Sequence, residues 1–126
     1  MSKKPSRKTL IRNLDSIVSK IVCKRDRWCV VCGTPNNPTC GHLFSRANYS
    51  TRWDLTNCHR QCVSCNFKHE HDPYPFNNWF ILHFGKKAWD DLHAKHTQIK
   101  KWKDFELAEL YEELKNVALD TGVEVM

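Results

Sequence analysis

Two Cys-x-x-Cys pairs, Cys29-Val-Val-Cys32 and Cys62-Val-Ser-Cys65, stand 29 residues apart and are the residues best equipped for chemistry. Each pair turns two thiolates toward one point, and four thiolates around a common point make a tetrahedral zinc site. The gap is longer than in the tightest zinc ribbons, so a segment is inserted between the pairs. A disulfide framework is not expected. The chain has seven cysteines, an odd number, and its basic start Met1-Ser2-Lys3-Lys4-Pro5 leads into no apolar signal core. A thioredoxin-like redox pair would need one Cys-x-x-Cys on a βαβ unit, and no such pattern is present. Structural Zn²⁺ on Cys29, Cys32, Cys62 and Cys65 is therefore expected, with Cys23, Cys40 and Cys58 left as small buried residues. Metal-binding free energy then becomes folding free energy, which a chain this short needs.

The inserted segment reads Cys40-Gly41-His42-Leu43-Phe44-Ser45-Arg46, then Asp54-Leu55-Thr56-Asn57-Cys58-His59-Arg60-Gln61, then Cys62-Val63-Ser64-Cys65-Asn66. In order and spacing this resembles the HNH (His-Me finger) nucleases, in the form whose ββα motif is flanked by two zinc knuckles. His42 follows the first knuckle, Asn57 precedes the second by five residues, and Asn66 directly follows its last cysteine. The closer resemblance is to phage recombination endonucleases of the NinG/Rap type, with a similar Cys-pair, Gly-His, Ser-Arg, Asn-x-His-x-Gln-Cys and Cys-Asn progression. It covers residues 29 to about 92, weakening after the second knuckle.

The resemblance implies a DNA endonuclease that hydrolyses phosphodiester bonds and leaves 5′ phosphate and 3′ hydroxyl ends. An imidazole titrates close to neutral pH, so His42 can take the proton of the attacking water. A core or zinc-binding histidine is the competing reading. The resemblance makes Asn66 a ligand of a catalytic Mg²⁺ or Mn²⁺, which would stabilise the leaving oxygen; the plainer reading is a helix-start Asn that caps backbone. It gives Asn57 the task of pinning the loop that orients His42, against a plain turn Asn. Many family members carry an Asp immediately before the catalytic His as a second metal ligand, whereas this chain has Gly41. His59, His69 and His71 are candidates to substitute, and an imidazole ligand would favour Mn²⁺ over Mg²⁺. Arg46 and Arg52 are candidate phosphate clamps, with Arg60 and Lys68 behind them; each has a solvated surface charge as its alternative.

The elements that must position these residues are legible to different degrees. Leu10, Leu14, Ile17, Val18, Ile21 and Val22 recur at helical spacing, predicting a basic amphipathic helix over 9–27 behind a disordered basic tail at 1–8. Short strands are expected around Thr39–Phe44 and Tyr49–Leu55, and a helix over 62–71. Asp72-Pro73-Tyr74-Pro75 breaks the chain. An aromatic-rich segment follows, from Phe76 to a C-cap at Gly85, whose rings suit core packing better than stacking on bases. Further helices are expected over Lys86–His96 and Asp104–Asp120. The reading is a single α+β domain over 9–126, with a zinc-stapled ββα (HNH/treble-clef-like) core at 28–72, the basic N-terminal helix before it and a helical extension at 73–126.

Length and charge bound the function. The 126 residues, 40% hydrophobic, suffice for one small domain, and no apolar run approaches a membrane span. Residues 1–27 carry nine Lys or Arg against two acids, while 104–126 carry seven acids against Lys115. A net charge of +6, confined to the first four-fifths of the chain, suits a polyanion partner such as branched or duplex DNA. A solvated basic face is the blander account. The expected setting is the bacterial host cytoplasm. The apolar stripe of the acidic C-terminal helix would serve either core packing or a homodimer. A zinc-dependent DNA-binding module without catalysis is the rival reading of the whole chain.

Overall fold

The computed structural model describes residues 4–123. The first helix, α1 (Arg7–Asp26), begins where the Ser6 hydroxyl accepts the Thr9 N–H at 3.2 Å and ends with Lys24 and Arg25 on the negative end of its dipole. That cap starts the helix two residues before the position expected from periodicity and shortens the anticipated tail; residues 1–3 of that tail lie outside the described residues. All six apolar residues of its stripe are buried. The last helix, α5 (Asp104–Thr121), lays Leu107, Leu114 and Ala118 on that stripe, and Arg7 reaches Asp104 at 2.9 Å. Burying each large aliphatic side chain contributes about 1.5–3 kcal/mol, so this helix pair is the main body of the fold. The α5 stripe is thus mostly spent on α1, with Val117 left exposed.

Between the two helices in sequence lie β1 (Pro38–His42) and β2 (Cys58–Cys62), an antiparallel pair with Gly41 opposite His59 and His42 opposite Cys58. The second strand is not where alternation placed it. Residues 49–55 form successive turns, with Thr51 N–H on Asn48 O, Asp54 N–H on Thr51 O and Asn57 N–H on Asp54 O. Short polar side chains make further turns at its edges, where Ser45 and Asp54 accept the backbone N–H groups of Ala47 and Thr56. The strand is Cys-His-Arg-Gln-Cys, which alternation misses because both of its faces are covered. Cys58 joins the α1 core on one face, and His59 meets the aromatic helix on the other.

Three helices lie between β2 and α5: α2 (Val63–His69), α3 (Tyr74–Phe84) and α4 (Lys86–His96). Gly85, at φ +92°, ends α3 by donating to the Ile81 carbonyl and lets α4 fold back as a hairpin. Phe76, Phe80 and Leu92 form a second core with Leu43, while Phe84 stays half exposed. Among the described residues, no helix is long and apolar enough to cross a membrane.

Candidate metal centre and catalytic cleft

The two knuckles meet. Gly33 N–H bonds to Cys29 O and Val30 N–H to Arg60 O, which ties the first knuckle to β2, whose last residue opens the second. The sulfurs of Cys29, Cys32, Cys62 and Cys65 lie within 4.8 Å of one another, and Cys32 and Cys62 are 3.8 Å apart. A tetrahedron with Zn–S bonds of ~2.3 Å has edges of ~3.8 Å. The Cys32 and Cys65 N–H groups point at the Cys29 and Cys62 sulfurs, each at 3.4 Å. Burial works against a charged Cys29, but the backbone N–H groups of Cys32, Cys62 and Val31 prevail and bring its thiol down to about 7. The cluster could hold a structural zinc.

Beside β1, between α1 and α2, opens a cleft of about 570 Å³. Its walls include His42 from β1, Asn66 from α2, Arg46 and Arg52 from the loop, and Asp15 from α1. His42 Nε2 bonds to the Arg52 carbonyl at 2.9 Å, so that nitrogen carries the proton and Nδ1 the lone pair. Burial outweighs that carbonyl and lowers the His42 pKa, as do the nearby Arg46 and Arg52 charges. The imidazole is therefore neutral at pH 7.

Asn57, fully buried, closes the loop after His42. Its amide oxygen accepts the Phe44 N–H (2.9 Å), and its amide nitrogen donates to the carbonyls of Phe44 (3.0 Å) and Thr51 (3.2 Å). The Leu43 N–H adds a bond to the Asn57 carbonyl. Asn66 donates its amide nitrogen to Thr39 Oγ1 at 3.0 Å, which leaves its oxygen as the group's acceptor.

The other residues singled out from sequence go elsewhere. His59 lies outside the cleft walls, 3% exposed, with Nε2 on the Thr56 carbonyl and Nδ1 facing Arg25, inside a ring of Phe76, Trp79, Phe80 and Phe84. The Arg60 guanidinium is occupied by the carbonyls of Cys23 and Pro35, and its backbone N–H by Asp26. Lys68 is exposed on α2, outside the cleft. His69, on the cleft wall, bonds through Nε2 to the Leu43 carbonyl; His71 is exposed and lies against Phe67. Arg52 is half spent as well, since it grips Asp15 through two bonds of 2.9 and 2.7 Å. Arg46 is the less committed one: its side chain is 62% exposed and makes a single bond to Asp15, at 3.3 Å.

Two acids on the cleft were not singled out from the sequence. Asp15 accepts from Arg52, Arg46 and the Trp53 indole, and these partners outweigh burial and keep its carboxyl below the usual range. Its signal was a lone acid directly after Leu14 in an apolar stripe. Glu70 follows Asn66 by four residues, one helical turn, and lines the same cleft.

Gly41 has a packing reason. A Cβ there would stand 2.0 Å from Gln61 Oε1, and Gln61 is fully buried with neither amide atom hydrogen-bonded. The space for a side chain before His42 is already filled. Gly41→Asp is expected to lose about 1–3 kcal/mol of stability through overpacking. Gly41→Asp with Gln61→Ala should recover much of it. Urea unfolding of the two variants checks this, and equal losses in both would refute the steric account.

Acid should weaken the fold through His59. Burial, helped by Arg25 and opposed by the Thr56 carbonyl, brings its pKa down to about 4. An unfolded histidine titrates near 6.5, so the unfolded chain binds the extra proton first. The contribution is whole above pH ~6.5 and is lost as pH falls toward ~4, in all about 3 kcal/mol. His59→Gln should show a shallower loss of stability than the parent over that window in urea melts; parallel curves would contradict it.

The profile of the family described as "Bacteriophage Lambda NinG protein" matches residues 2–120. The chain is 29% identical over 93 residues to "Protein ninG" of Escherichia phage 933W and of Enterobacteria phage VT2-Sa, and 28% identical to that of Escherichia phage lambda. Each match covers 70% of this chain and 46% of the relative, so the chain spans about half the length of the curated relatives it matches. No solved structure matches. With a profile match running nearly end to end, over a cysteine cluster and a cleft built on its inserted segment, the chain belongs to the bacteriophage lambda NinG protein family.

Proposed function

We propose that the chain is an HNH-type, metal-dependent DNA endonuclease. The observation that carries this is the meeting, on one cleft, of a neutral His42, the Asn66 amide and the exposed Arg46. His42 Nδ1 accepts the proton of the attacking water, while the Arg52 carbonyl holds the ring by Nε2. Asn57 fixes the loop that carries that carbonyl. Arg46 clamps a phosphate oxygen next to the scissile bond. Asn66 and Glu70 offer a neutral and an anionic oxygen one turn apart, a donor pair that suits a hard divalent cation such as Mg²⁺ or Mn²⁺ keeping several of its waters. When bound, that cation would supply Lewis-acid stabilisation of the leaving 3′ oxygen. The resemblance to phage recombination endonucleases makes branched or junction DNA the substrate class, within the bacterial host.

The test compares labelled four-way-junction and linear duplex DNA of one sequence, with Mg²⁺, Mn²⁺ or EDTA. Cleavage with added metal, faster on the junction, is expected. Equal rates would remove the branch preference and leave the nuclease. The second reading is a zinc-dependent DNA-binding module without catalysis, favoured by the Gln61 side chain that fills the place of an acid at Gly41. It would be upheld by tight, salt-sensitive binding with no cleavage under any metal.

A further inference from the structure

The sheet face turned toward α1 holds a second group of metal-type donors, of which the proposed hydrolysis uses only His42. His42 stands opposite Cys58 in the strand register, and Cys40 lies two residues before His42 on the same face. The two sulfurs and a ring nitrogen of His42 all lie within 4.8 Å of one another. Cys58 is fully buried, whereas Cys40 and His42 reach the cleft wall. All seven cysteines of the chain are free of disulfides.

The surroundings suit a metal ligand. One carbonyl, that of Arg52, receives both His42 Nε2 at 2.9 Å and the Cys58 thiol at 3.5 Å. A ligating histidine commonly donates its other ring N–H to a carbonyl in this way, which fixes the tautomer and points the lone pair at the ion. Two thiolates and an imidazole are soft donors that select Zn²⁺ and its heavier relatives over Mg²⁺. The open cleft gives an ion a way in and leaves room for a water as fourth ligand.

We propose that Cys40, His42 and Cys58 form a second, thiophilic metal site, separate from the four-cysteine cluster, that takes Zn²⁺ from the cleft. On binding, each protonated thiol loses its proton to solvent, and the His42 lone pair is committed to the ion. The site does not depend on the nuclease reading. Where that reading holds, Zn²⁺ here removes the base and silences the cleft.

The experiment counts zinc. The reduced chain already carrying one Zn²⁺ is titrated anaerobically with Zn²⁺ against a chromophoric chelator, then desalted for elemental analysis. The parent is expected to hold two equivalents, and Cys40→Ser and His42→Ala one each. The retained first equivalent and a cooperative unfolding transition show that these variants are folded. Cys40 is half-buried, so its serine is tolerated more easily than one at Cys58. Excess Mg²⁺ should leave the second Zn²⁺ in place. A parent that holds one equivalent would overturn the site, as would variants that hold two or displacement of the second Zn²⁺ by millimolar Mg²⁺.

Discussion

On the proposed nuclease reading, His42→Ala is expected to lower the metal-dependent cleavage rate by about 10²–10⁴-fold while DNA affinity changes little, because a positioned general base contributes that much and no phosphate clamp is removed. The imidazole fits the role through its protonation state as much as its position. Burial and the neighbouring Arg46 and Arg52 charges hold its pKa below 6.5, so the ring stays neutral and able to accept a proton at pH 7. The sign follows. Cleavage should be flat through pH 7 and fall only as acid charges the ring, with the midpoint of the acid limb below 6.5. Rates on a labelled nick-reporting duplex across pH 5–8, for the parent and the variant, measure both effects. An acid limb centred above 6.5, or a variant that cleaves at the parent's rate, would dismiss His42 as the base. Asp15→Asn would alter the same profile in two ways, by removing a charge that raises the His42 pKa and by loosening the Arg52 segment whose carbonyl holds the ring.

Where zinc occupies the four-cysteine cluster, removing it should have the largest effect on the fold. Structural zinc sites of this kind contribute about 10–16 kcal/mol of binding free energy, more than the whole stability of a small domain. The dependence is local in origin. Here β1 and β2 form a sheet of only two strands, and the seven-residue α2 buries none of its residues. The cluster joins the first knuckle to the end of β2 and the start of α2, so those elements lose their common anchor without it. The helix pair α1 and α5, with its own apolar core, depends on it least. A strong chelator, or Cys62→Ser, should therefore abolish the cleft while leaving much of the helical signal. Circular dichroism with near-ultraviolet detection of the tryptophans separates the two. A near-ultraviolet spectrum unchanged by chelation would show that the knuckles stand without metal. Acid works in the same direction, since thiolates must be deprotonated to bind, so zinc release should rise as pH falls.

Local pattern in the chain determined a good deal. The stripes of α1 and α5 and the Gly85 break between α3 and α4 follow from helical periodicity and backbone freedom, properties that each segment carries by itself. The knuckle spacing likewise marked four thiols for one point, and the structure brings them together. What escaped depends on what packs against each residue from elsewhere. β2 was hidden because α1 and the aromatic helix cover both of its faces, which removes the alternation that betrays a strand. The segment 49–55 looked extended and became turns, in which Thr51 and Asp54 spend their N–H groups on the carbonyls of Asn48 and Thr51, three residues back, instead of on a neighbouring strand.

The cleft divides along the same line. The order of His42, Asn57 and Asn66 was legible, because it lies in one continuous stretch tied to the knuckles. Charge type alone could not tell a free arginine from an occupied one. Arg46 projects into the cleft while Arg60 is held by two carbonyls, and only the approach of α1 and the Pro35 loop decides which is which. Asp15 reaches the cleft across the helix–loop interface, 37 residues before its partner Arg52. Gly41 read in sequence as a missing ligand. In three dimensions it is the place that Gln61 fills, a fact that no strand shows until its neighbour is laid beside it. Periodicity and metal-ligand spacing are properties of the chain itself; whether a side chain is free, paired or blocked is a property of what folds against it.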